Sequence, residues 1–434
     1  MTARLPLTPA GTGSTRIIGA RLIDGSGAEP VPNAEIRIEG DRIAWAGAAD
    51  LAPAADPDAV VVDVEGATIL PGFFDTHVHL GMSIEDNPQR LAAQFPSETV
   101  LNAAATVRRT LMAGVTTARD LAGLDAGFRT AIANGTILGP RLHLAIMALS
   151  PTGGHTDFHL PNGTSVYPGG GEPEIDSIVD TDDDVRRTVR RLVRSGADVI
   201  KVCTTGGVSS PADTPHDLGV PERHVRLIVE ETARRQSQPV AAHAQGAEGI
   251  KEAIRGGVAS VEHGYEIDQE GIDLMLERGT YLVPTLSSAL RVPDPAVVPD
   301  YLYAKKVRWS AIAREHVAKA IEAGVKVALG TDSGVCPHGQ NLIELGHMVD
   351  LGLSPMGAIQ AGTINAARLL RLDEHLGTIE AGKLADLVIT KTDPLRDIHA
   401  LGDPDTIDAV IQGGRVVKDD DGRFPGGAVS ARLG

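Results

Sequence analysis

The hydrophobic pattern in the central part of the chain alternates between short apolar runs and segments with helical spacing. The apolar runs, rich in β-branched residues, are Ala67–Leu70, Val115–Ala118, Leu142–Met147, Val199–Val202, Val240–Ala242, Ser260–Val261, Tyr281–Val283 and Val325–Leu329. Helical spacing is clearest in residues 184–196, where four valines and leucines share one face and arginines occupy the other; Thr181 and Gly196 are expected to begin and end this helix. Eight strands alternating with helices over roughly 300 residues predict an α/β fold, a (β/α)8 TIM barrel rather than a doubly wound sheet.

The two ends of the chain show a different pattern, in which short strands are joined by tight turns. The predicted strands are Arg16–Ile23, Ala34–Ile38, Arg42–Gly47 and Val60–Val64 near the N-terminus, and Ala385–Thr390 and Asp408–Val417 near the C-terminus. Strand-rich segments at opposite ends of a chain can pair into one sheet. We therefore expect a small β domain that is discontinuous in sequence, with the barrel as a long insertion between its halves.

One segment, Pro151–Asp180, interrupts the alternation of strands and helices. It is rich in glycine and proline and has no clear period. A connection of that length inside a compact domain is usually functional or disordered. His155, Asp157 and His159 lie near its start, just after the predicted third strand, and favour a functional loop. A mobile linker is the alternative.

The net charge of the chain limits the classes of partner that it can bind. Acidic residues outnumber basic ones by 57 to 40, which gives −17 at pH 7 with histidine neutral. Because a nucleic-acid backbone or an anionic membrane surface would repel such a chain, we expect neither as a partner. Residues 1–14 lack the apolar core of a secretory signal, and no run of about 18 apolar residues occurs, so we expect a cytoplasmic protein without a membrane span. Two cysteines are too few for a disulfide framework or a thiolate metal cage.

Four of the fourteen histidines fall at the ends of predicted barrel strands. His77 and His79 follow the first strand run, and because they alternate in an extended segment, both side chains point to the same side. His243 ends the fifth strand and His263 ends the sixth. Asp332 follows the eighth, where a buried carboxylate is costly unless it is paired or bound to a metal.

All five of these residues are predicted at the carboxyl ends of barrel strands, the face on which barrel active sites are built. Taken singly, each histidine is more simply a polar residue of the barrel mouth or a hydrogen-bonded core residue. Their coincidence on one face predicts a metal site, and nitrogen and oxygen ligands of this kind suit Zn²⁺ or a similar ion.

Lys201 is an unusual residue for its position on the predicted fourth strand. A buried ammonium is costly, and metal cations beside it would also repel it. A lysine there makes sense if its charge is removed or reversed, whereas the simpler alternative is a side chain that reaches solvent.

Together, these residues and their surrounding motifs resemble the amidohydrolase superfamily. The likeness is carried by PGFFDTHVHL, Lys201, His243, His263 and GTDSG around Asp332, and by LGTIEAGKLADLVI and VIQGGRVV near the C-terminus. The resemblance implies a metal-dependent (β/α)8 barrel hydrolase of residues 70–375, with a split β-sandwich formed by residues 1–69 and 376–434.

The resemblance also implies a ligand set for two divalent metal ions, usually zinc, although the same ligands could bind Mn²⁺ or Co²⁺. His77, His79 and Asp332 would hold the first ion, and His243 and His263 the second. Lys201 would be carboxylated by CO₂, and its carbamate would bridge both ions together with a water or hydroxide. Asp332 would act as general base and then general acid while the bridging hydroxide attacks the scissile carbonyl.

Four further motifs narrow the likeness to a clade that holds Xaa-Pro and Xaa-Arg dipeptidases and ochratoxin-hydrolysing amidases. They are PTGGHTD, IKVCTTGGVSSPAD, AAHAQGAEGIKEAIRGGVASVEHG and ALGTDSG. His155 is then the candidate hydrogen-bond donor to the developing oxyanion, with a loop-stabilising histidine as the alternative. Gly206, Gly207 and Tyr265 are expected substrate contacts by position. The chain departs from the clade at Cys203-Thr204-Thr205, where a methionine–alanine pair is expected.

We therefore expect a hydrolase of amide bonds in peptide-like molecules, N-acyl amino acids or xenobiotic amides and carbamates, acting on a small-molecule substrate and assembling as a homo-oligomer. A cyclic-amide hydrolase or deaminase of the imidazolonepropionase type is the alternative, although those enzymes generally use one metal and lack the lysine. A third alternative is a non-catalytic, metal-containing ligand-binding protein. Arg223 and Arg291 could bind a substrate carboxylate, but both are more simply surface charges.

Overall fold

The computed structural model describes residues 5–82, 94–159, 162–164, 175–235 and 239–429. Its strands in chain order are β1 Ser14–Leu22, β2 Val31–Glu39, β3 Arg42–Ala48, β4 Val60–Asp63, β5 Thr68–Pro71, β6 Phe73–Val78, β7 Val115–Asp120, β8 Arg141–Leu144, β9 Ala148–Leu149, β10 Ile200–Cys203, β11 Val240–Ala244, β12 Ser260–His263, β13 Tyr281–Val283, β14 Leu387–Thr390, β15 Ile407–Gln412 and β16 Arg415–Asp419.

The helices lie mainly between the strands of the central region. They are α1 Pro96–Met112, α2 Ala126–Ala133, α3 Asp182–Arg194, α4 Glu222–Ala233, α5 Ala247–Gly256, α6 Gln269–Arg278, α7 Leu286–Ala289, α8 Asp300–Glu322, α9 Ile343–Asp350, α10 Pro355–Ala361 and α11 Ile364–Leu369. Among the described residues, no helix is both long and apolar enough to cross a membrane.

The N-terminal and C-terminal strands form one eight-stranded sheet. Its order is β16-β15-β14-β5-β1-β2-β3, with β4 also paired to β1. Ile36 on β2 and Ile389 on β14 belong to the same buried apolar cluster, so the sheet folds over a core of its own. The predicted pairing of the two chain ends into a discontinuous β domain is therefore confirmed.

The central strands form two parallel sheets, β6-β7-β8 and β9-β10-β11-β12-β13. The third strand position is divided between β8 and β9 at Ile146, which has a φ of 71°. Residues 326–333 form backbone hydrogen bonds with β13 on one side, through Leu282. On the other side they form backbone hydrogen bonds with β6 and with His79, which follows it. This segment fills the eighth position, as the predicted barrel requires.

The prediction that Ala67–Leu70 is the first barrel strand is wrong. The strand at this place is β5, which pairs with β1 and β14 in the sheet of the chain ends, and the barrel begins with β6. The chain passes between the two sheets at Gly72, where a Cβ would lie 2.3 Å from Oγ1 of Thr116. The predicted boundary between the β domain and the barrel lay between residues 69 and 70. It falls inside β5, which spans Thr68–Pro71.

The helix predicted in residues 184–196 is α3. Thr181 precedes it and accepts a hydrogen bond from the backbone of Asp184, whose carboxylate in turn accepts from the backbone of Thr181. Val185, Val189 and Leu192 are fully buried on one face, as the spacing predicts. In the Pro151–Asp180 loop, residues 160–161 and 165–174 lie outside the described residues.

A buried ion pair joins the barrel to the β domain. Arg141 on β8 donates to the carboxylate of Asp386, which precedes β14, and both side chains are almost completely buried. The same carboxylate accepts from the backbone N–H of Gly413 at 2.8 Å. The contact holds a barrel strand against the C-terminal half of the β domain.

We predict that Asp386→Ala lowers the free energy of unfolding by about 3–5 kcal/mol, because it leaves the guanidinium of Arg141 buried without a counter-charge. Urea denaturation followed by circular dichroism measures the loss. The double variant Arg141→Met/Asp386→Leu should recover most of it, while Lys319→Ala, which removes an exposed i,i+4 pair with Glu315, serves as the surface control. A single variant as stable as the wild type would contradict this role.

Candidate metal centre

The carboxyl end of β6 and the end of the segment 326–333, at the eighth strand position, bring three metal-binding side chains together. The Nε2 atoms of His77 and His79 lie 3.5 Å and 3.4 Å from Oδ1 of Asp332. One ligand atom from each of these residues falls within 4.8 Å of the other two. His77 is the fifth residue of β6 rather than a residue after the strand, and its side chain is fully buried.

His243 on β11 and His263 on β12 place their rings beside this group. The ring centroids of His243 and His263 are 4.5 Å apart, and those of His77 and His263 are 5.0 Å apart. The structure therefore brings together all four histidines that the sequence singled out at the strand ends, with Asp332 among them.

Hydrogen bonds on the far side of the rings fix the orientation of three of these histidines. Nδ1 of His77 bonds to Glu262 at 2.8 Å, Nδ1 of His79 to the carbonyl of Ala122 at 2.9 Å, and Nδ1 of His263 to the hydroxyl of Thr285 at 2.7 Å. Each ring thereby keeps Nε2 for the site, the arrangement found around metal-binding histidines. In His243 it is Nε2 that bonds to the carbonyl of Gly206, at 3.0 Å, so Nδ1 is the nitrogen left for a ligand.

The backbone is strained at the same place. His263, Asp332 and Thr285 have φ values of 73°, 63° and 50°, in the left-handed region that non-glycine residues rarely adopt. Strained backbone of this kind clusters at active sites and ligand-binding sites, where the surrounding structure enforces it.

The environment keeps most of the rings neutral. Burial lowers the pKa of His77, His243 and His263 well below the usual value, and nearby positive charge from Lys201 adds to the effect. The neutral imidazole is the form that binds metal ions. Burial opposes the charge of Asp332, but the hydrogen bond with His79 and the electrostatic interactions with His77, His79 and Lys306 together outweigh it and lower the pKa of the carboxyl. The site thus combines three neutral imidazoles, those of His77, His243 and His263, with a carboxylate whose hydrogen-bond partner His79 has a raised pKa.

Lys201 lies on β10 beneath this group, and its side chain is buried. Its Nζ has no hydrogen-bond partner among the described residues. Burial lowers the pKa of this amine. Conversion of this buried amine to an anionic metal ligand would remove the cost of leaving it without a partner, so Lys201, the four histidines and Asp332 have the chemistry to hold a carbamate and two metal ions.

His155 stacks on the ring of His243, with 4.1 Å between the centroids. Its Nδ1 lies 3.1 Å from Asp213, whose other carboxylate oxygen accepts from the backbone N–H of Gly207 at 2.9 Å. A Cβ at Gly207 would lie 2.2 Å from the ring of His155, so only glycine permits this approach. The loop that follows β10 therefore positions His155 at the edge of the site.

Tyr265 is buried beside His263, with ring centroids 5.3 Å apart, and its hydroxyl lies 3.1 Å from Oγ1 of Thr285. Thr285 thus bonds to a candidate metal ligand and to a candidate substrate contact with the same hydroxyl. The carboxylate of Glu344 accepts from the backbone N–H groups of Leu286 and Ser287 and holds this turn in place. Burial raises the pKa of Glu344 to about 8.

Several of these groups were not found by reading the sequence. Asp213 and Glu262 lie within motifs that carry the family resemblance but were given no role, whereas Thr285 and Glu344 lie outside those motifs. For Glu262 the available signal was a charged residue within the apolar run of SVEH. Arg223, by contrast, is exposed on α4 and takes no part in the described site. Neither Cys203 nor Cys336 belongs to the group of metal-binding side chains.

Comparison with known proteins identifies close relatives. The model of the amidohydrolase family matches residues 68–417. Ochratoxinase of Aspergillus niger is 34% identical over 445 residues, covering 96% of this chain and 89% of that protein. A crystal structure of a Xaa-Pro dipeptidase with methionine bound in its active site matches with a TM-score of 0.85 and 34% identity, covering 93% of this chain and 100% of that one. Imidazolonepropionase of Cutibacterium acnes is 28% identical over 408 residues, covering 91% and 93%.

We predict that Thr285→Ala weakens Zn²⁺ binding about 10- to 100-fold, because the Nδ1–H of His263 loses the acceptor that orients the ring. Competition with a chromophoric chelator measures the affinity. Thr285→Ser retains the hydroxyl and should bind like the wild type, and Tyr265→Phe, which removes the other bond of that hydroxyl, should leave the affinity nearly unchanged. Unaltered affinity in Thr285→Ala would mean that the hydroxyl does not position His263.

Proposed function

The chain belongs to the amidohydrolase family, and we propose that this hydrolase of carbon–nitrogen bonds cleaves a linear amide in a small molecule with the help of two divalent metal ions. The match to the family model and the similarity to named enzymes confirm the family resemblance read from the sequence motifs. The alternative of a non-catalytic binding protein is wrong. The observation that carries the proposal is the placement of four histidine rings, Asp332 and the unpartnered amine of Lys201 at one end of the barrel.

The residues divide into two ligand groups in this proposal. His77, His79 and Asp332 would hold one ion, and His243 and His263 the other. The neutral amine of Lys201 would add to CO₂ and release a proton, and the resulting carbamate would serve both ions. When bound, the ions supply Lewis-acid chemistry, which lowers the pKa of a water molecule and polarises the scissile carbonyl. Zinc is the proposed metal because nitrogen and oxygen ligands of this kind suit it.

Three side chains of the protein would manage protons and charge during the reaction. Asp332, held as a carboxylate, accepts the proton of the attacking water and passes it to the leaving nitrogen. His155 donates a hydrogen bond to the substrate oxygen as negative charge develops there. Asp213 lies at hydrogen-bond distance from Nδ1 of His155 and would orient the ring so that Nε2 remains for the substrate. Gly206, Gly207 and Tyr265 are the proposed contacts to the rest of the substrate.

The choice of a linear amide over a cyclic one rests on Lys201. The relatives include an imidazolonepropionase as well as an ochratoxinase and a Xaa-Pro dipeptidase. A buried, unpartnered amine on β10 has no role in a site with a single metal, whereas a site with two ions uses it. Peptide-like amides, N-acyl amino acids and xenobiotic amides or carbamates remain the proposed substrates, and homo-oligomeric assembly and a cytoplasmic location remain predictions from the sequence.

We predict that the purified protein, loaded with zinc, holds about two ions per chain and that Lys201→Ala holds about one or fewer, because the shared ligand is lost. Plasma emission spectrometry after gel filtration gives the count. Lys319→Ala, an exposed lysine on α8, is the matched control and should retain both ions. A single ion in the wild type, together with full activity in Lys201→Ala, would rule out the two-metal site.

We predict that Asp332→Asn lowers kcat by about 10²- to 10⁴-fold while most of the metal stays bound, because the amide can still coordinate but cannot accept the proton. The assay is a hydrolysis screen of N-acyl amino acids, dipeptides, aryl amides and imidazolonepropionate with zinc-loaded protein. Asp273→Asn, on the exposed face of α6, should behave like the wild type. Normal turnover in Asp332→Asn would remove it as the base, and turnover of imidazolonepropionate alone would favour the cyclic-amide alternative.

A further inference from the structure

Glu344, in the first turn of α9, is completely buried and bonds to a different helix. Its carboxyl oxygens accept from the backbone N–H groups of Leu286 and Ser287 at 2.7 Å and 2.6 Å, and one of them lies 2.6 Å from the hydroxyl of Ser287. All three contacts are made to the first two residues of α7. A buried carboxyl group is costly unless it is hydrogen-bonded, so this set of contacts ties α7 firmly to α9.

The start of α7 is capped in an unusual way. The first backbone N–H groups of a helix have no partner inside it, and a threonine before the helix normally accepts from one of them with its side chain. Thr285 is the residue before α7, yet its side chain makes no such bond, and its backbone has φ 50° and ψ 47° instead of the extended conformation of an ordinary cap. Glu344 therefore supplies the cap that Thr285 does not.

The hydroxyl of Thr285 serves the candidate metal centre instead. Its Oγ1 lies 2.7 Å from Nδ1 of His263 and 3.1 Å from the hydroxyl of Tyr265. A β-branched residue in the left-handed region is strained, and such strain persists only where the surrounding structure enforces it. The bonds of Glu344 to the next two residues fix the backbone directly after Thr285 and so help to hold it in this conformation.

We propose that Glu344 is a positioning residue of the metal centre, which caps α7 from α9 and thereby frees the hydroxyl of Thr285 to orient His263 and Tyr265. The inference rests on the proposed function and deepens it, because it adds a residue outside the barrel strands to the control of the second ion. Without this cap, the unpaired N–H groups of α7 would compete for the hydroxyl of Thr285 and draw it away from His263.

The test is a double-mutant cycle of Glu344→Gln and Thr285→Ala, with the affinity for Zn²⁺ measured by competition with a chromophoric chelator. In Glu344→Gln the side-chain amide places its own N–H against the backbone donors of α7, so we expect zinc to bind about 10-fold more weakly than to the wild type. In the Thr285→Ala background the same change should weaken binding by less than about 2-fold, because the hydroxyl through which Glu344 acts is already absent.

The matched control is Glu231→Gln, because Glu231 is also a buried glutamate and forms an ion pair with Arg190 between α3 and α4. This variant should lose stability in urea denaturation without a change in zinc affinity. Glu344→Asp, which is shorter by one methylene, repeats the cycle if Glu344→Gln is too unstable to titrate. A crystal structure of either Glu344 variant should show the hydroxyl of Thr285 turned from His263 towards α7.

The outcomes distinguish this inference from the proposed function. Losses of zinc affinity that simply add in the double variant would overturn the inference, as would a Thr285 hydroxyl that stays on His263 in the variant's crystal structure. An equal loss of affinity in Glu231→Gln would also overturn it, and in each case zinc binding and hydrolysis by the wild type would leave the proposed function intact. Coupled losses in a protein that hydrolyses no amide would support the inference and count against the proposed function.

Discussion

The buried ion pair between Arg119 and Glu262 is the interaction on which the barrel interior and the candidate site both depend. Arg119 on β7 is completely buried and donates to Glu262 on β12 at 2.8 Å, to Ser260 at 3.1 Å and to the carbonyl of Thr76 on β6. The other oxygen of Glu262 bonds to Nδ1 of His77. Two charges removed from water are tolerated only when their hydrogen bonds are satisfied, so each of these contacts constrains the others. The pair joins three barrel strands and fixes the orientation of a metal-binding ring at once.

The sequence predicted those parts of the structure that follow from local periodicity. The strand ends at His243 and His263 could be placed because parallel strands present their carboxyl ends on one face, and α3 could be placed from its spacing and its cap. The first barrel strand could not be placed, because Ala67–Leu70 is an apolar run, whereas β6 continues from Phe73-Phe74 into polar residues such as Asp75 and His77 that resemble the start of a loop. Only the tertiary structure shows that this polar segment is a buried strand. Arg119, Glu262 and Thr285 were missed because their roles exist only across strands that are far apart in the chain.

The protein as a whole carries a net negative charge, whereas the candidate site contains several positively charged groups. The net charge of −17 describes a surface on which acidic residues prevail. At the carboxyl end of the barrel the described cations Lys201 and Lys306 interact electrostatically with Asp332, and two metal ions would add to them. Local potential within a few ångströms governs what binds, whereas the distant surface charge is screened by salt. An acidic protein can therefore present a site suited to an anionic small molecule.

The pairing of β5 with β14 determines when the β domain can be completed during synthesis of the chain. β5 is made early and its neighbour in the sheet begins at Leu387, more than 300 residues later by the numbering of the two strands. On the ribosome, the barrel strands can close while the edge of β5 still exposes unpaired N–H and C=O groups, the kind of edge that pairs with other chains. The β domain is thus the last part of the molecule to be completed, and a nascent or truncated chain that ends before β14 leaves the edge of β5 open to association with other chains.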